Sequence, residues 1–368
     1  MEVVCREAVW RQAVQQIGQA LAQRLEAVRQ RVEDPSAAGQ DASEATIACE
    51  ATVAAAMDEA LAGLERLGLA PQQRTGATQM LWAIAGAWLR RGWLQTRAWT
   101  KPRGYAGDYE LLAAIYQRQL CGDPLGRLLD GYFQAQAAPQ AVRNRMALAS
   151  QWIRQAAQAA LAPSLSAQGD RTESTVQGQL RPEASTASPT RRVKVALLGS
   201  ATGLEVRQAL AELPAGSRQR LELVLLDYDP AALEYAAAVL CGWLRPEQVH
   251  TVATNLARLP RRRAAWDHAP CDLMLIPGLL DYLDDAAAAA LLAWGYEQLS
   301  KGGRLVAFQF APHNPTRPYM EWIGDWWLIY RDQGALAALA RHAGLDESIC
   351  RIGAEPLGID LFLSIERP

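Results

Sequence analysis

Two apolar runs in the second half of the chain each end in residues that could bind a small ligand. The first run leads directly into a turn of small residues: Gly199, Ser200, Ala201, Thr202 and Gly203. The second run ends in Asp227. Small residues let the backbone approach a ligand closely, and a carboxylate at the end of a strand can accept both hydroxyl hydrogens of a ribose. Together they predict a nucleoside-binding edge, although small residues alone also suit simple packing.

The turn after the first run differs from the turns that bind dinucleotides. Those turns read G-x-G-x-x-G, whereas this one reads G-S-A-T-G-L-E and places Glu205 near the start of the next helix. A carboxylate there repels phosphate and suits a cation or an ammonium group. S-adenosylmethionine carries a sulfonium and an ammonium group, has no phosphate, and is bound by sheets that finish in an antiparallel edge strand. We therefore expect S-adenosylmethionine as the cofactor in preference to NAD.

Short β-rich runs alternate with helical stretches from residue 193 onwards. The runs are Val193 to Leu198, Leu221 to Leu226, His250 to Ala253, Asp272 to Ile276, Arg304 to Phe310, Cys350 to Gly353 and Ile359 to Ile365. Alternating strands and helices indicate a parallel sheet covered on both faces, and the last two runs, separated only by a turn, predict an antiparallel hairpin. The predicted fold is α/β: a Rossmann-like, seven-stranded, mostly parallel sheet with an antiparallel edge hairpin, preceded by an all-α N-terminal domain.

The first 163 residues have apolar side chains at helical spacing, as in the stripe Val14, Ile17, Leu21, Leu25 and Val28. Breaks at 33–43, 69–73, 101–107, 121–124 and 137–139 predict five or six helices. Residues 164–192 are mainly Ser, Thr, Gln, Gly, Glu, Arg and Pro, which predicts a flexible linker. We therefore divide the chain into a helical cap or substrate domain (1–163), the linker (164–192) and a cofactor-binding domain (193–368).

The composition excludes several classes of protein. Half of the 368 residues are apolar and 21% are charged, and 37 Lys and Arg against 39 Asp and Glu give no basic field for nucleic acid. The first residues do not read as a secretory signal and no apolar run is long enough to span a bilayer, so we expect a cytoplasmic protein without membrane insertion. Six scattered cysteines and four histidines indicate reduced thiols and neither a metal site nor disulfides.

The turn LLGSATGLE, the strand end LLDYDP and the expected strand order resemble those of the class I S-adenosylmethionine-dependent methyltransferases over about residues 193–366. Four further segments resemble a narrower bacterial family, the methyltransferases of 3-hydroxypalmitic acid methyl ester biosynthesis. They are KPRGYAGDYELL at 101–112, AVRNR at 141–145, PGLLDYL at 277–283 and NPTRPYMEWIGDWWLIYR at 314–331. The resemblance then extends over nearly the whole chain.

This resemblance implies a set of cofactor-binding residues: Gly199, Ser200, Ala201, Gly203, Asp227, Tyr228, Asn255, Leu256, Gly278 and Asp281. The small-residue turn is expected against the methionine part, Asp227 on the ribose, and Tyr228 with Asn255 and Leu256 around the adenine. Asp281 and Tyr282 follow the fourth strand, where ligands bind in such sheets and where the substrate would reach the sulfonium.

The segment R-G-Y-A-G-D-Y at 103–109 is predicted to be a lid over the cofactor, because glycine lets a loop press close to a ligand. Tyr105 would then offer its ring or hydroxyl to the sulfonium region. Asp108 could meet the cofactor's ammonium group or simply cap the following helix. Arg143 and Asn144, early in a later helix, are further candidates, and a solvated face or a salt bridge is their alternative explanation.

Four aromatic residues, Trp322, Trp326, Trp327 and Tyr330, are spaced so that most of them would share one helical face. Core packing is one interpretation of this stripe, and an apolar wall for an acyl chain or a cation–π surface for the sulfonium is the other. His313, after the fifth strand, could act as a base, whereas a lone histidine in a loop is usually a surface group.

We expect a methyltransferase that acts on a small acid in small-molecule biosynthesis, with Tyr105, Tyr282 and Asn144 as catalytic candidates. The resemblance points to the carboxyl group of a hydroxy fatty acid. Since a carboxylate is already ionised at neutral pH, its methylation needs no base, which suits the scarcity of histidine. Two alternatives stay open: an intramolecular cyclase that releases methylthioadenosine and azetidine-2-carboxylic acid, and a non-catalytic sensor. The expected partner is a small-molecule substrate, and a homodimer stays open.

Overall fold

The computed structural model describes residues 2–33, 42–159, 192–261, 266–268 and 270–368. Apart from Arg192, the predicted linker lies outside these residues. The described part before residue 160 consists of seven helices: α1 Glu2–Glu33, α2 Ala42–Arg66, α3 Pro71–Leu89, α4 Trp93–Thr100, α5 Tyr109–Tyr116, α6 Pro124–Gln134 and α7 Ala137–Ala159. No helix in the described residues is long and apolar enough to cross a membrane.

The prediction of five or six helices was wrong, because it missed the break between α3 and α4. No Pro or Asp marks that break in the sequence. It is stabilised from a distance, because buried Asp130 on α6 accepts hydrogen bonds from the backbone N–H of Leu94 at 3.0 Å and of Cys121 at 2.9 Å. A carboxylate from another helix thus satisfies the N–H of Leu94, one of the groups that the start of α4 leaves free, and also ties down the loop at Cys121.

Replacing Asp130 tests this arrangement. Asp130→Asn is expected to lower the free energy of unfolding by about 1–2 kcal/mol, because the amide keeps one acceptor oxygen and turns its NH2 towards the second N–H group. Urea unfolding followed by circular dichroism measures the change. Glu247→Gln, in an exposed ion pair with Arg245, is the control and should stay within about 0.5 kcal/mol of the wild type. Equal stability of the two variants would contradict the assignment.

A seven-stranded sheet follows, with the order β3-β2-β1-β4-β5-β7-β6. Its strands are β1 Val193–Leu198, β2 Leu221–Asp227, β3 Val249–Ala253, β4 Cys271–Ile276, β5 Leu299–Phe310, β6 Cys350–Ala354 and β7 Asp360–Glu366. The pairs among β1 to β5 are parallel, whereas β7 pairs antiparallel with both β5 and β6. The predicted Rossmann-like sheet, its antiparallel edge hairpin and the helical N-terminal region are confirmed.

Six further helices connect the strands: α8 Leu204–Glu212, α9 Ala215–Arg218, α10 Pro230–Leu240, α11 Asp285–Glu297, α12 Arg317–Trp322 and α13 Gln333–His342. Alternate residues of each central strand face opposite layers. One layer contains α8 and α10 together with Ile153 of α7, and the other contains α11 and α13. The last helix of the N-terminal region therefore lies directly on the sheet.

The aromatic stripe at 322–330 does not form one helical face. Helix α12 ends at Trp322, since the backbone N–H of Gly324 bonds to Tyr319 and that of Trp326 to Met320, with Asp325 in the left-handed region at φ 44°. Trp322 belongs to the core, as the packing interpretation predicted. The residues from Asp325 to Tyr330 form neither helix nor strand, and Trp327 lies at the surface.

Candidate functional site

A cavity of about 500 Å³ lies at the carboxyl ends of the parallel strands. The loops after β1 to β4 form one side, and the 101–108 loop with α5, α6 and α7 forms the other. Ten residues predicted from the sequence line it: Tyr105, Gly199, Ala201, Asp227, Tyr228, Asn255, Leu256, Gly278, Asp281 and Tyr282. Ligands of open α/β sheets bind at this edge, so the structure brings these ten to the expected place.

Ser200 and Gly203 do not line this cavity, although the turn that contains them does. Ser200 is fully buried. Gly203 has φ 63°, and a Cβ there would lie 3.1 Å from the Cβ of Ala236 on α10. The small size of Gly203 therefore serves the packing of the turn against α10, which is the alternative that the sequence left open.

Three other candidates also lie outside the cavity wall and are bonded within the protein. Asp108 caps α5 through the N–H of Leu111 at 3.0 Å and pairs with Arg97 at 2.7 Å, so its capping role is present. Arg143 donates to the backbone and side chain of Gln134. Asn144 donates to Glu355 at 2.6 Å. The structure does not bring these residues to the cavity.

Asp227 is fixed by both of its carboxylate oxygens. Oδ2 accepts the N–H of Ala201 at 3.0 Å, across the turn after β1, and Oδ1 accepts the N–H of Asp229 at 3.0 Å. Burial is the main cause that raises the pKa of Asp227, and the nearby charge of Asp229 adds to it. Each oxygen keeps a second lone pair, so the carboxylate can still accept hydrogen bonds from a ligand.

The residues around Asp227 supply an aromatic ring and an amide. Tyr228 is 67% exposed, which leaves its ring free to contact a ligand. The side-chain oxygen of Asn255 accepts the N–H of Ala257 at 3.1 Å, so its NH2 group faces away from that bond. A flat base beside a ribose would meet a ring, a polar edge and the apolar Leu256 here.

The predicted lid loop forms the roof of the cavity. The hydroxyl of Tyr282 donates to the carbonyl oxygen of Ala106 at 3.2 Å and accepts the indole N–H of Trp326 at 2.8 Å. Lys101 forms an ion pair with Asp325 at the same junction. Burial, together with the charge of Asp227, raises the pKa of Tyr105. The phenol of Tyr105 therefore stays neutral at physiological pH and can act only as a neutral hydrogen-bonding group.

Asp281 is a buried carboxyl at the end of β4. Its Oδ1 accepts the side-chain N–H of Gln309 at 2.6 Å and the backbone N–H of Phe310 at 2.8 Å. Burial, reinforced by the charge of Asp360, raises its pKa to about 8. Ionising this carboxyl at neutral pH therefore costs more than ionising an exposed aspartate.

This raised pKa predicts a pH dependence of stability. Between pH 4 and 8 the folded protein holds a proton on Asp281 that the unfolded chain releases, so this group favours folding less and less as the pH rises. The unfolding free energy of the wild type minus that of Asp281→Asn should therefore fall from pH 5 to pH 8, as measured by urea unfolding. The same difference for Asp346→Asn should stay flat, because hydrogen bonds with Ser348 lower the pKa of exposed Asp346. A flat difference for Asp281 would show that its pKa is ordinary.

Sequence reasoning missed Arg145, a 4% exposed residue of the cavity wall. Its neighbour Arg143 was chosen instead. A signal was present, because Val142, Arg145 and Ala149 are three and four residues apart and so lie on one face of α7, the face that is buried. An arginine within an apolar stripe points inward and needs a partner there.

His313 lies away from this cavity, at the surface, with Nε2 3.0 Å from the carbonyl oxygen of Gly358. His313 is therefore not positioned to act as a base in this cavity. Within the residues that the structure describes, no group of three or more His, Cys, Asp or Glu side chains could hold a metal ion. The chemistry of the cavity rests on its tyrosines, carboxyl groups and arginines.

The chain matches no protein-family model and no curated protein. Among solved structures it is similar to a possible exported protein from Bordetella parapertussis, with 17% identity, a TM-score of 0.50, and coverage of 96% of this chain and 97% of that one. The two chains share a fold. The shared fold spans the helical region and the sheet together.

Matches of lower similarity include two methyltransferases. The methyltransferase SibL in its apo form is 19% identical over 95% of this chain and 97% of that one, with a TM-score of 0.43. Magnesium protoporphyrin IX methyltransferase from Synechocystis, crystallised with S-adenosylhomocysteine, is 12% identical over 64% of this chain and 88% of that one, with a TM-score of 0.40.

Proposed function

We propose that the protein is an S-adenosylmethionine-dependent methyltransferase that acts on a small acid. One observation carries the proposal: the carboxylate of Asp227 is held in place at the end of β2, on the cavity wall, beside the exposed ring of Tyr228 and the amide of Asn255. This set matches the needs of an adenosine, namely two acceptors for the ribose and a ring with a polar edge for the base.

The start of α8 supports a cofactor without phosphate. Glu205 occupies the first turn of this helix, where dinucleotide-binding proteins accommodate a pyrophosphate. It is buried, and burial raises its pKa to about 7. A phosphate at this helix start would meet a partly ionised carboxyl group, whereas a sulfonium and an ammonium group would not be repelled.

When bound, S-adenosylmethionine would supply an activated methyl group, and the protein's part is to orient the two reactants and exclude water. The roof loop, held by the Tyr282–Ala106 and Trp326–Tyr282 hydrogen bonds, covers the ends of the strands. The wall between the roof and the sheet is mainly apolar: Leu112, Ile115, Phe133, Val142, Phe310, Met320 and Leu328. Such a wall keeps water away from the reacting atoms.

An acid is the favoured acceptor because it needs no base. A carboxylate is ionised at neutral pH, and the described residues that line the cavity include no histidine. Two arginines, Arg103 and Arg145, lie in the same wall and can attract an anion. The apolar wall suits an alkyl body, and we propose a hydroxy fatty acid as the finer candidate.

Incubation with S-adenosylmethionine and a panel of carboxylic acids, followed by mass spectrometry of the nucleoside product, tests the proposal. The expected products are S-adenosylhomocysteine and a methyl ester, formed only when an acceptor is present. If methylthioadenosine and azetidine-2-carboxylic acid form without an acceptor, the protein is an intramolecular cyclase and not a methyltransferase. Tight binding of the cofactor without turnover across the whole panel would indicate a sensor.

A further inference from the structure

Arg145 is a buried cation of the cavity wall whose donors are only partly used. Its Nη1 contacts Oδ2 of Asp360 at 3.0 Å, and the phenol of Tyr116 lies nearby. Its Nε has no hydrogen-bond partner among the described residues. A guanidinium has five N–H donors in a planar fork, so a single contact with one oxygen of Asp360 leaves donors available to a second acid.

The backbone after β4 is shaped around this guanidinium. Gly278 has φ 85°, and a Cβ at this position would lie 2.9 Å from Nη1 of Arg145. The guanidinium carbon also lies 5.9 Å from the centre of the Phe310 ring. Glycine at position 278 thus lets the backbone after β4 lie against the guanidinium of Arg145. The guanidinium is held in one place at the junction of α7, β4 and β5.

The carboxyl groups near Arg145 are harder to ionise than exposed ones. Burial raises the pKa of Asp281 to about 8 and that of Glu205 to about 7, although the hydrogen bond that Asp281 accepts from the N–H of Phe310 and the charge of Arg145 act against this rise. Among the described residues, Asp360 is the carboxyl group in direct contact with Arg145. In a wall that is otherwise mainly apolar, a guanidinium paired on one side is a site for a second carboxylate.

We propose that Arg145 binds a carboxylate of the small molecule held in the cavity. The inference rests on the proposed function for the identity of that molecule, which leaves two sources of the same group. One is the carboxylate of the methionine part of the cofactor, and the other is the carboxylate of the acceptor acid. Arg145 thereby sets specificity, because a ligand that lacks the carboxylate leaves the fork unsatisfied.

Two variants separate binding from folding. Arg145→Lys keeps the charge and loses the planar fork. Arg145→Met combined with Asp360→Asn removes both charges of the pair, so that no carboxylate is left buried without a partner. Arg154→Lys is the control, since Arg154 lies on the same helix and pairs with Glu212 at 2.9 Å. Circular dichroism and thermal melting establish that each variant is folded.

Calorimetry with matched ligands distinguishes the two sources. S-adenosylhomocysteine is compared with its decarboxylated amine analogue, and hexanoate and benzoate are compared with hexanol and benzyl alcohol in the presence of methylthioadenosine. If the cofactor supplies the carboxylate, both variants lose affinity for S-adenosylhomocysteine by roughly 10- to 100-fold and keep their affinity for the analogue. If the acceptor supplies it, the same loss affects hexanoate or benzoate only.

Folded variants that bind every one of these compounds as the wild type does would overturn the role of Arg145 and leave the ion pair with Asp360 as a structural tie. Wild-type protein that binds none of the adenosine compounds would instead overturn the proposed function. In that case hexanoate and benzoate, titrated against the protein alone, decide the role of Arg145 by the same comparison of variants. The two failures therefore give different results.

Discussion

Asp227→Ala is expected to weaken the binding of S-adenosylhomocysteine by about 2–3 kcal/mol, roughly 30- to 150-fold, because two charge-assisted hydrogen bonds to the ribose are lost. The effect is large because the carboxylate is already oriented by Ala201 and Asp229 before a ligand arrives. Isothermal titration calorimetry of the folded variant measures it. Because the proposal places only the ribose on Asp227, the binding contributed by the methionine half should persist.

A ligand that lacks both ribose hydroxyls provides the control for Asp227. This ligand should bind the wild type weakly. Asp227→Ala should change its affinity little, because it cannot form the ribose hydrogen bonds with either the wild type or the variant. If Asp227→Ala weakens the binding of S-adenosylhomocysteine and of the ligand without ribose hydroxyls equally, the substitution acts through the turn after β1 and not through the ribose. Unchanged affinity for S-adenosylhomocysteine would remove Asp227 from the binding site.

The sheet could be predicted because each strand is recognisable from a short stretch of the sequence. The strands β1, β2 and β4 are mainly apolar, with one charged residue near the start of each, as expected of strands buried on both faces. The turn after β1 and the carboxylate after β2 follow those runs directly, and parallel strands bring their carboxyl ends to one edge. Nine of the fifteen candidate site residues lie at or after the ends of β1 to β4 and so reached the cavity through chain order and strand direction, whereas Tyr105 reached it from the glycine-containing loop between α4 and α5.

The remaining features depend on contacts between residues far apart in the chain. The start of α4 is fixed by Asp130 on α6, and Arg145 is oriented by Asp360 on β7, more than 200 residues away. Asn144 likewise finds its partner in Glu355, 211 residues away, whereas Arg143 bonds to Gln134 in the preceding helix. The end of α12 is an intermediate case, since Gly324 and Asp325 were visible in the sequence but the aromatic spacing suggested a longer helix.

The roof loop leads to the second large expected effect. Gly107 has φ 74°, and a Cβ there would lie 2.5 Å from Cζ2 of Trp326 and 3.1 Å from the hydroxyl oxygen of Tyr282. In Gly107→Ala, Trp326 must rotate or the loop must lift. Either movement separates Trp326, Tyr282 and Ala106, whose two hydrogen bonds hold the roof over the cavity.

Because a displacement of about 1 Å near the reacting atoms can cost roughly 100-fold in rate, we expect Gly107→Ala to form nucleoside product from S-adenosylmethionine about 100-fold more slowly than the wild type. Gly344→Ala separates this loss from backbone strain. Gly344 also has φ 74°, but no atom lies within 4 Å of its added Cβ. Both variants should lose about 1–2 kcal/mol of stability to the left-handed conformation. Equal rates in the two variants would mean that the roof loop plays no part in the reaction, because strain would then explain the whole effect of either substitution.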